Sequence, residues 1–204
     1  SRGIFDLTGI DGFTSLSSLS IDDFKALEID LSQNYNLNYL YISSSTLNEL
    51  DLRNNPNLSQ INIYAPLNNI DFGNSNSMDD ISLSGTNLTS LNCSQLNNLY
   101  TLSLNWNSFL DNLIVTQNSQ LNSITIQDAP IENLDLTQNS QLQTINFQLG
   151  QLNGLNLTQN TQLNYLTIKG LGGSSVNNSN FTNLDLSSNA NLQSLVLQNL
   201  SINY

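Results

Sequence analysis

One short phrase returns along this chain at near-constant spacing: Ile29-Asp30-Leu31-Ser32-Gln33-Asn34, Leu50-Asp51-Leu52-Arg53-Asn54-Asn55, Leu134-Asp135-Leu136-Thr137-Gln138-Asn139 and Leu184-Asp185-Leu186-Ser187-Ser188-Asn189. Weaker copies begin at Ile70, Leu91, Leu113 and Leu155, which makes eight units. Subtracting successive first residues gives steps of 21, 20, 21, 22, 21, 21 and 29. A unit this small cannot bury an apolar face alone, so the copies must stack into one continuous core.

Within a unit the apolar residues keep fixed offsets from the first. Offsets 8, 11 and 13 hold Leu37, Leu40 and Ile42 in the first copy and Leu142, Ile145 and Phe147 in the sixth. Another apolar residue stands three positions before each next unit: Leu47, Leu67, Leu88, Leu110, Ile131, Leu152 and Phe181. The pattern Leu-x-Leu thus occurs twice per unit, and alternation with period two is the signature of an extended strand. The expected fold is a parallel β-solenoid with two short strands per coil of about 21 residues, each pairing with its equivalent one coil away at ~4.8 Å. Helix should be almost absent, a single turn at Asp22 to Leu27 being the exception.

Six asparagines, Asn34, Asn55, Asn118, Asn139, Asn160 and Asn189, share offset 5, where an inward amide can satisfy backbone groups at the bend. Ser75 and Leu96 replace it in two coils, where a less regular bend is expected. Residues 1–23 read as an N-terminal cap with one partial coil, in which Leu19-Ser20-Ile21 is a strand without a Leu-Asp-Leu partner. Residues 24–204 read as the eight-coil array, with a glycine- and serine-rich loop inserted at 170–179. The last unit reaches Tyr204 without an evident polar cap, which leaves room for further coils.

The segment Leu37-Asn38-Tyr39-Leu40-Tyr41-Ile42, followed after four residues by Leu47, resembles the strand segment of the leucine-rich repeat family. Its alternation with a Leu-Asp-Leu half over about 21 residues is similar to the short repeats of internalin-J-like surface proteins and of secreted proteins in Bacteroidetes. The resemblance covers Phe24 to Tyr204. It implies a secreted or surface-attached bacterial module that binds or adheres rather than catalyses. Such relatives often carry a cysteine in the strand segment, whereas Cys93 lies in the other strand at an inward position.

Composition narrows the chemistry. With Lys+Arg 4 against Asp+Glu 16 the net charge is -12, so four scattered cations cannot displace counterions from nucleic acid or dock on anionic lipid. The absence of histidine excludes Ser-His-Asp and Cys-His nucleophiles and His-ligated zinc, and one cysteine cannot close an intrachain disulfide. No run approaches ~18 apolar residues, so membrane insertion is not expected. A glycosidase-like carboxylate pair would need a pocket, which a column of residues on a rod face does not supply. The expectation is a monomer without cofactor, acting on a protein or glycan partner.

Three surface features qualify as sites. Outward residues of the Leu-Asp-Leu strand form a column, Asp30, Asp51, Asp71, Asn92, Ile114, Asp135, Asn156 and Asp185. It serves either solubility or a calcium ion, and solubility is the reading adopted, with no metal site assigned. Thr116, Thr137 and Thr158 make a row that an ice-binding surface would require, the main rival function beside a spacer role. Tyr39, Tyr41 and Tyr64 converge near the N-terminal end and are the ligand-binding residues expected, with the 170–179 loop second, because rigid rings beside amides and hydroxyls suit a protein or sugar. Tyr100 and Trp106 lie farther along, and Trp106 is expected to pack rather than to bind.

Overall fold

The computed structural model describes residues 3–73, 75–149, 151–170, 181 and 183–200. In chain order the strands are β1 (Ser18–Phe24), β2 (Tyr39–Ser44), β3 (Glu49–Asp51), β4 (Gln60–Tyr64), β5 (Asn69–Asp71), β6 (Asp80–Ser84), β7 (Ser90–Asn92), β8 (Thr101–Asn105), β9 (Asn112–Ile114), β10 (Ser123–Gln127), β11 (Thr144–Gln148), β12 (Tyr165–Lys169) and β13 (Ser194–Gln198). Nine of them form one parallel sheet in the order β1-β2-β4-β6-β8-β10-β11-β12-β13. This is the expected solenoid, advancing one strand per coil.

Register follows from the repeat. Leu40, Ile61, Ile81, Leu102, Ile124, Ile145 and Leu166 oppose one another in turn, and all seven are buried. Full burial of such a side chain contributes roughly 1.5–3 kcal/mol. A slip of one residue would turn this whole column to solvent, so the pairing is strongly fixed.

The second strand is ladder-forming in four coils, where β3 pairs with β5 and β7 with β9. In the copies at Leu134 and Leu155 the same leucines are buried without a ladder between strands. Between β5 and β7 the ladder is likewise interrupted.

The helical turn expected at Asp22 to Leu27 does not form. Asp22, Asp23 and Phe24 belong to β1, with a register shift there and Asp23 at φ 56°. Phe24 is drawn into the core, and Ile4 pairs alongside it, which leaves no room for a turn. The helical element among the described residues is a 3-10 turn at Ile10–Gly12.

Six of the eight bends after the Leu-Asp-Leu half close on a buried asparagine. Asn139 N–H donates to Leu136 O at 3.1 Å and Leu142 N–H to Asn139 O at 3.1 Å. Its Nδ2 reaches into the preceding coil, donating to Val115 O at 2.9 Å and Asn118 O at 2.8 Å. Asn55, Asn118, Asn160 and Asn189 repeat this pair of side-chain bonds, and Asn34 donates to Ile10 O and Phe13 O. The ladder answers for carbonyls that burial would otherwise orphan.

The two exceptions diverge. At Ser75 the side chain is buried and its Oγ makes one long contact to Leu58 O at 3.4 Å, in place of the asparagine's two side-chain bonds to the preceding coil. At Leu96 the bend is regular, against the expectation: Leu96 N–H donates to Cys93 O at 2.9 Å and Leu99 N–H to Leu96 O at 3.0 Å. The backbone makes this turn by itself, and a buried leucine fills the asparagine's volume.

The other corner, just after the main strand, has two forms. Where the corner residue is Ala65 or Leu149 it is buried. Where Gly85, Trp106 or Asp128 occupies it the backbone is left-handed, with φ 66°, 56° and 56°. That conformation turns the corner residue outward and sends the next one, Thr86, Asn107 or Ala129, into the core.

Candidate binding face

The outer face of the main sheet presents three columns. The middle one is Tyr41, Asn62, Ser82, Ser103, Thr125, Asn146, Thr167 and Val196, as alternation requires. Tyr39 stands two residues before Tyr41 on the same strand and face. Tyr64 ends β4, opposite Ser43. The rings of Tyr41 and Tyr64 meet with centroids 6.0 Å apart and a tilt of 53°, within the separation at which aromatic pairs attract. Tyr64 keeps 43% of its surface exposed, whereas Tyr39 and Tyr41 are half-buried. The face therefore carries all three tyrosines, with a direct ring contact between two of them.

The aspartate column has a local structural role. Oδ1 of Asp30, Asp51, Asp71, Asp135 and Asp185 accepts the backbone N–H two residues on, at 2.9–3.0 Å, and Asn92 and Asn156 do the same. These are Asx turns that start the bend. The bonds to Thr137 and its backbone hold the Asp135 carboxyl below the usual range, as do those to Ser32 for Asp30 and to Ser187 for Asp185. Arg53 does the same for Asp51, with Nη2 2.7 Å from Oδ2, and its Nε lies 3.4 Å from Asp71. No group of three or more acidic or thiol side chains able to hold a metal occurs among the described residues.

The threonine row is committed in the same way. The hydroxyls of Thr137 and Thr158 donate to Asp135 and Asn156 at 2.6 and 2.7 Å, and both residues are half-buried. A groove of about 580 Å³ runs beside Thr116 and Thr137, lined also by Leu113, Ile114, Asn133, Leu134, Asp135, Leu136, Gly154 and Asn156. It contains a single carboxylate, one short of the pair that glycoside hydrolysis uses.

Trp106 does not pack. It is 59% exposed at its left-handed corner, and Phe109 in the same corner is also 59% exposed. A bulky residue in this conformation costs about 1–2 kcal/mol, and such strain collects at functional positions. Buried Asn107 holds the corner: its Oδ1 accepts the Thr86 N–H and hydroxyl at 3.0 and 2.7 Å, and its Nδ2 donates to Leu83 O at 3.1 Å. The sequence carried a signal for this corner, since five residues separate Leu104 from Leu110 where the other coils before the 170–179 insertion have three or four.

Cys93 is fully buried, which pushes its thiol up to about 12. Asp80, on the outer face beside Gln60, is raised by desolvation and then by Asp79. The 170–179 loop lies outside the described residues except for Gly170. No described helix is long and apolar enough to cross a membrane.

No family model and no curated protein matches the chain. Solved structures do. The functional domain of InlJ from Listeria monocytogenes, which includes a cysteine ladder, superposes with TM-score 0.78 at 27% identity over 94% of this chain. The internalin InlF from Listeria monocytogenes matches over 97% of the chain with TM-score 0.61 at 22% identity. A leucine-rich-repeat protein from Leptospira interrogans matches over 97% with TM-score 0.61 at 18% identity. The chain spans 46%, 65% and 59% of these three structures respectively. Repeat length, parallel topology and these likenesses together make the chain a leucine-rich-repeat solenoid resembling internalin J.

Proposed function

We propose that the chain is a non-catalytic binding module of a secreted or surface-attached bacterial protein, monomeric, with Tyr39, Tyr41 and Tyr64 as contact residues for a protein or glycan. The observation that carries this reading is the Tyr41–Tyr64 ring pair on a hydrogen-bonded sheet face. Rings fixed by the backbone lose little freedom on binding and offer large apolar area. The likeness to InlJ and InlF supports the adhesion class, since both share the repeat architecture over nearly the whole chain. The acidic charge disfavours nucleic acid and anionic lipid as partners.

The test is a combined glycan and extracellular-protein array probed with the wild-type chain and with Tyr41→Ala. Capture of a defined ligand that falls at least tenfold in Tyr41→Ala, with the unfolding midpoint unchanged, is the expected result. Undiminished capture by a folded Tyr41→Ala would remove the tyrosines from the site.

A further inference from the structure

We propose that the binding face extends along the C-terminal ends of successive strands to Trp106 and Phe109, and that the strip from Tyr64 to Trp106 holds an uncharged polysaccharide chain. This rests on the reading of the tyrosine face as a binding surface and names its ligand class. Tyr64 opposes Ser84, which opposes Asn105, so Tyr64 and the Trp106 corner are two rungs apart, roughly 10 Å. That separation suits rings stacking on alternate sugars of an extended chain.

Between them lies Gly85, where a Cβ would meet nothing within 4 Å. This leaves an open slot between the two aromatic walls. The accessible outward residues beside it, Ser82, Ser103, Asn105 and Gln127, offer hydroxyls and amides without charge, Ser84 being buried, and Asp128 at the next corner marks the acidic end of the strip. On a chain of net charge -12, a neutral strip flanked by exposed rings matches a polyhydroxylated neutral partner, while uronate or sulfate groups would be repelled by the surrounding field. The walls are preformed. Gly85 N–H donates to Asn105 O at 3.0 Å, Trp106 N–H donates to Gln127 O at 3.0 Å, and Asn107 pins the corner from inside.

Trp106 is the chain's one tryptophan, so its emission reports this site directly. The full chain would be titrated with cellohexaose, xylohexaose and chitohexaose, with heparin hexasaccharide as the charged control, following Trp106 emission and, in parallel, calorimetric heat. The variants are Trp106→Gly, which relieves the left-handed strain and so should fold at least as well, Phe109→Ala, and Tyr41→Ala/Tyr64→Ala.

The expected result is an emission shift with at least one neutral hexasaccharide, an affinity insensitive to salt, and at least a tenfold loss in Trp106→Gly without a fall in unfolding midpoint. Neutral-sugar binding retained in Trp106→Gly but lost in the double tyrosine variant would overturn the extension and leave the tyrosine face standing. Silence towards all three sugars, with an array protein captured through Trp106 in a salt-sensitive way, would overturn the ligand class. An array ligand whose capture neither Trp106→Gly nor the double tyrosine variant weakens would sink both readings together.

Discussion

Asn107 accepts two hydrogen bonds from Thr86 across adjacent coils, from its N–H at 3.0 Å and from its hydroxyl at 2.7 Å. The pair joins the coil that begins at Ile70 to the one that begins at Leu91, where Ser75 and Leu96 interrupt the asparagine ladder and β5 and β7 do not pair. Asn107→Ala orphans a buried N–H, a hydroxyl and the Leu83 carbonyl, each worth about 1–3 kcal/mol when left unmet. Chemical denaturation should show a larger loss for Asn107→Ala than for alanine at the exposed Ser108, and equal losses would refute the bridging role.

The asparagine ladder predicts a ranking. Asn139→Ala removes bonds to Val115 O and Asn118 O and leaves a hole, so it should cost a few kcal/mol, on the order of the buried-group penalty plus a cavity. Asn139→Leu should cost less. Leu96 already fills the equivalent position with the bend intact, and the asparagine's own Oδ1 is buried without a partner, a penalty that leucine removes. Denaturation midpoints that put leucine below alanine would disprove this account.

Acid should weaken the fold through the Asx turns. Folding lowers the carboxyls of Asp30, Asp51, Asp135 and Asp185, so their stabilisation is complete above the unfolded value of about 3.9 and is lost as pH falls through the lowered folded values. Asp135→Asn should keep the turn, as Asn156 does, and flatten part of the acid limb. Asp135→Ala should lower the midpoint at neutral pH as well. A pH profile of Asp135→Asn identical to wild type would contradict the assignment.

Cys93 predicts a reactivity switch. Its buried thiol, raised to about 12, should resist a thiol reagent such as Ellman's at neutral pH until the surrounding coil opens. Labelling that follows the denaturation curve is the expected outcome, and fast labelling of the native chain would contradict the burial.

The sheet, its register and the inward positions were legible because leucine and isoleucine at fixed offsets admit one alternation pattern, and the ladder asparagines announced themselves by sharing one offset. Tyr41 and Tyr64 were placed on a common face by the same alternation. Trp106 was expected to pack against neighbouring strands of the sheet face, but a left-handed residue ends β8 there and turns the ring out into solvent. Its signal was a length, the five-residue gap before Leu110, rather than a residue type. The Leu96 bend was misjudged for a related reason. The turn's hydrogen bonds belong to the backbone, and the side chain serves the coil below.

The interruption at Ser75 and Leu96 also has a mechanical meaning. A rod drawn by its two ends carries the same tension through every coil junction, so it parts where the fewest transverse ties cross. Here the joint that lacks both the asparagine-ladder bonds and a second-strand ladder lies in the middle of the array, tied instead by the β6 and β8 ladder, the packed leucines and the Asn107 peg. Under load that peg should decide whether the seam holds as long as its neighbours, so Asn107→Ala should divide the rod there into two stiff halves, and a clamp between Gly85 and the Trp106 corner would raise the force at which it does.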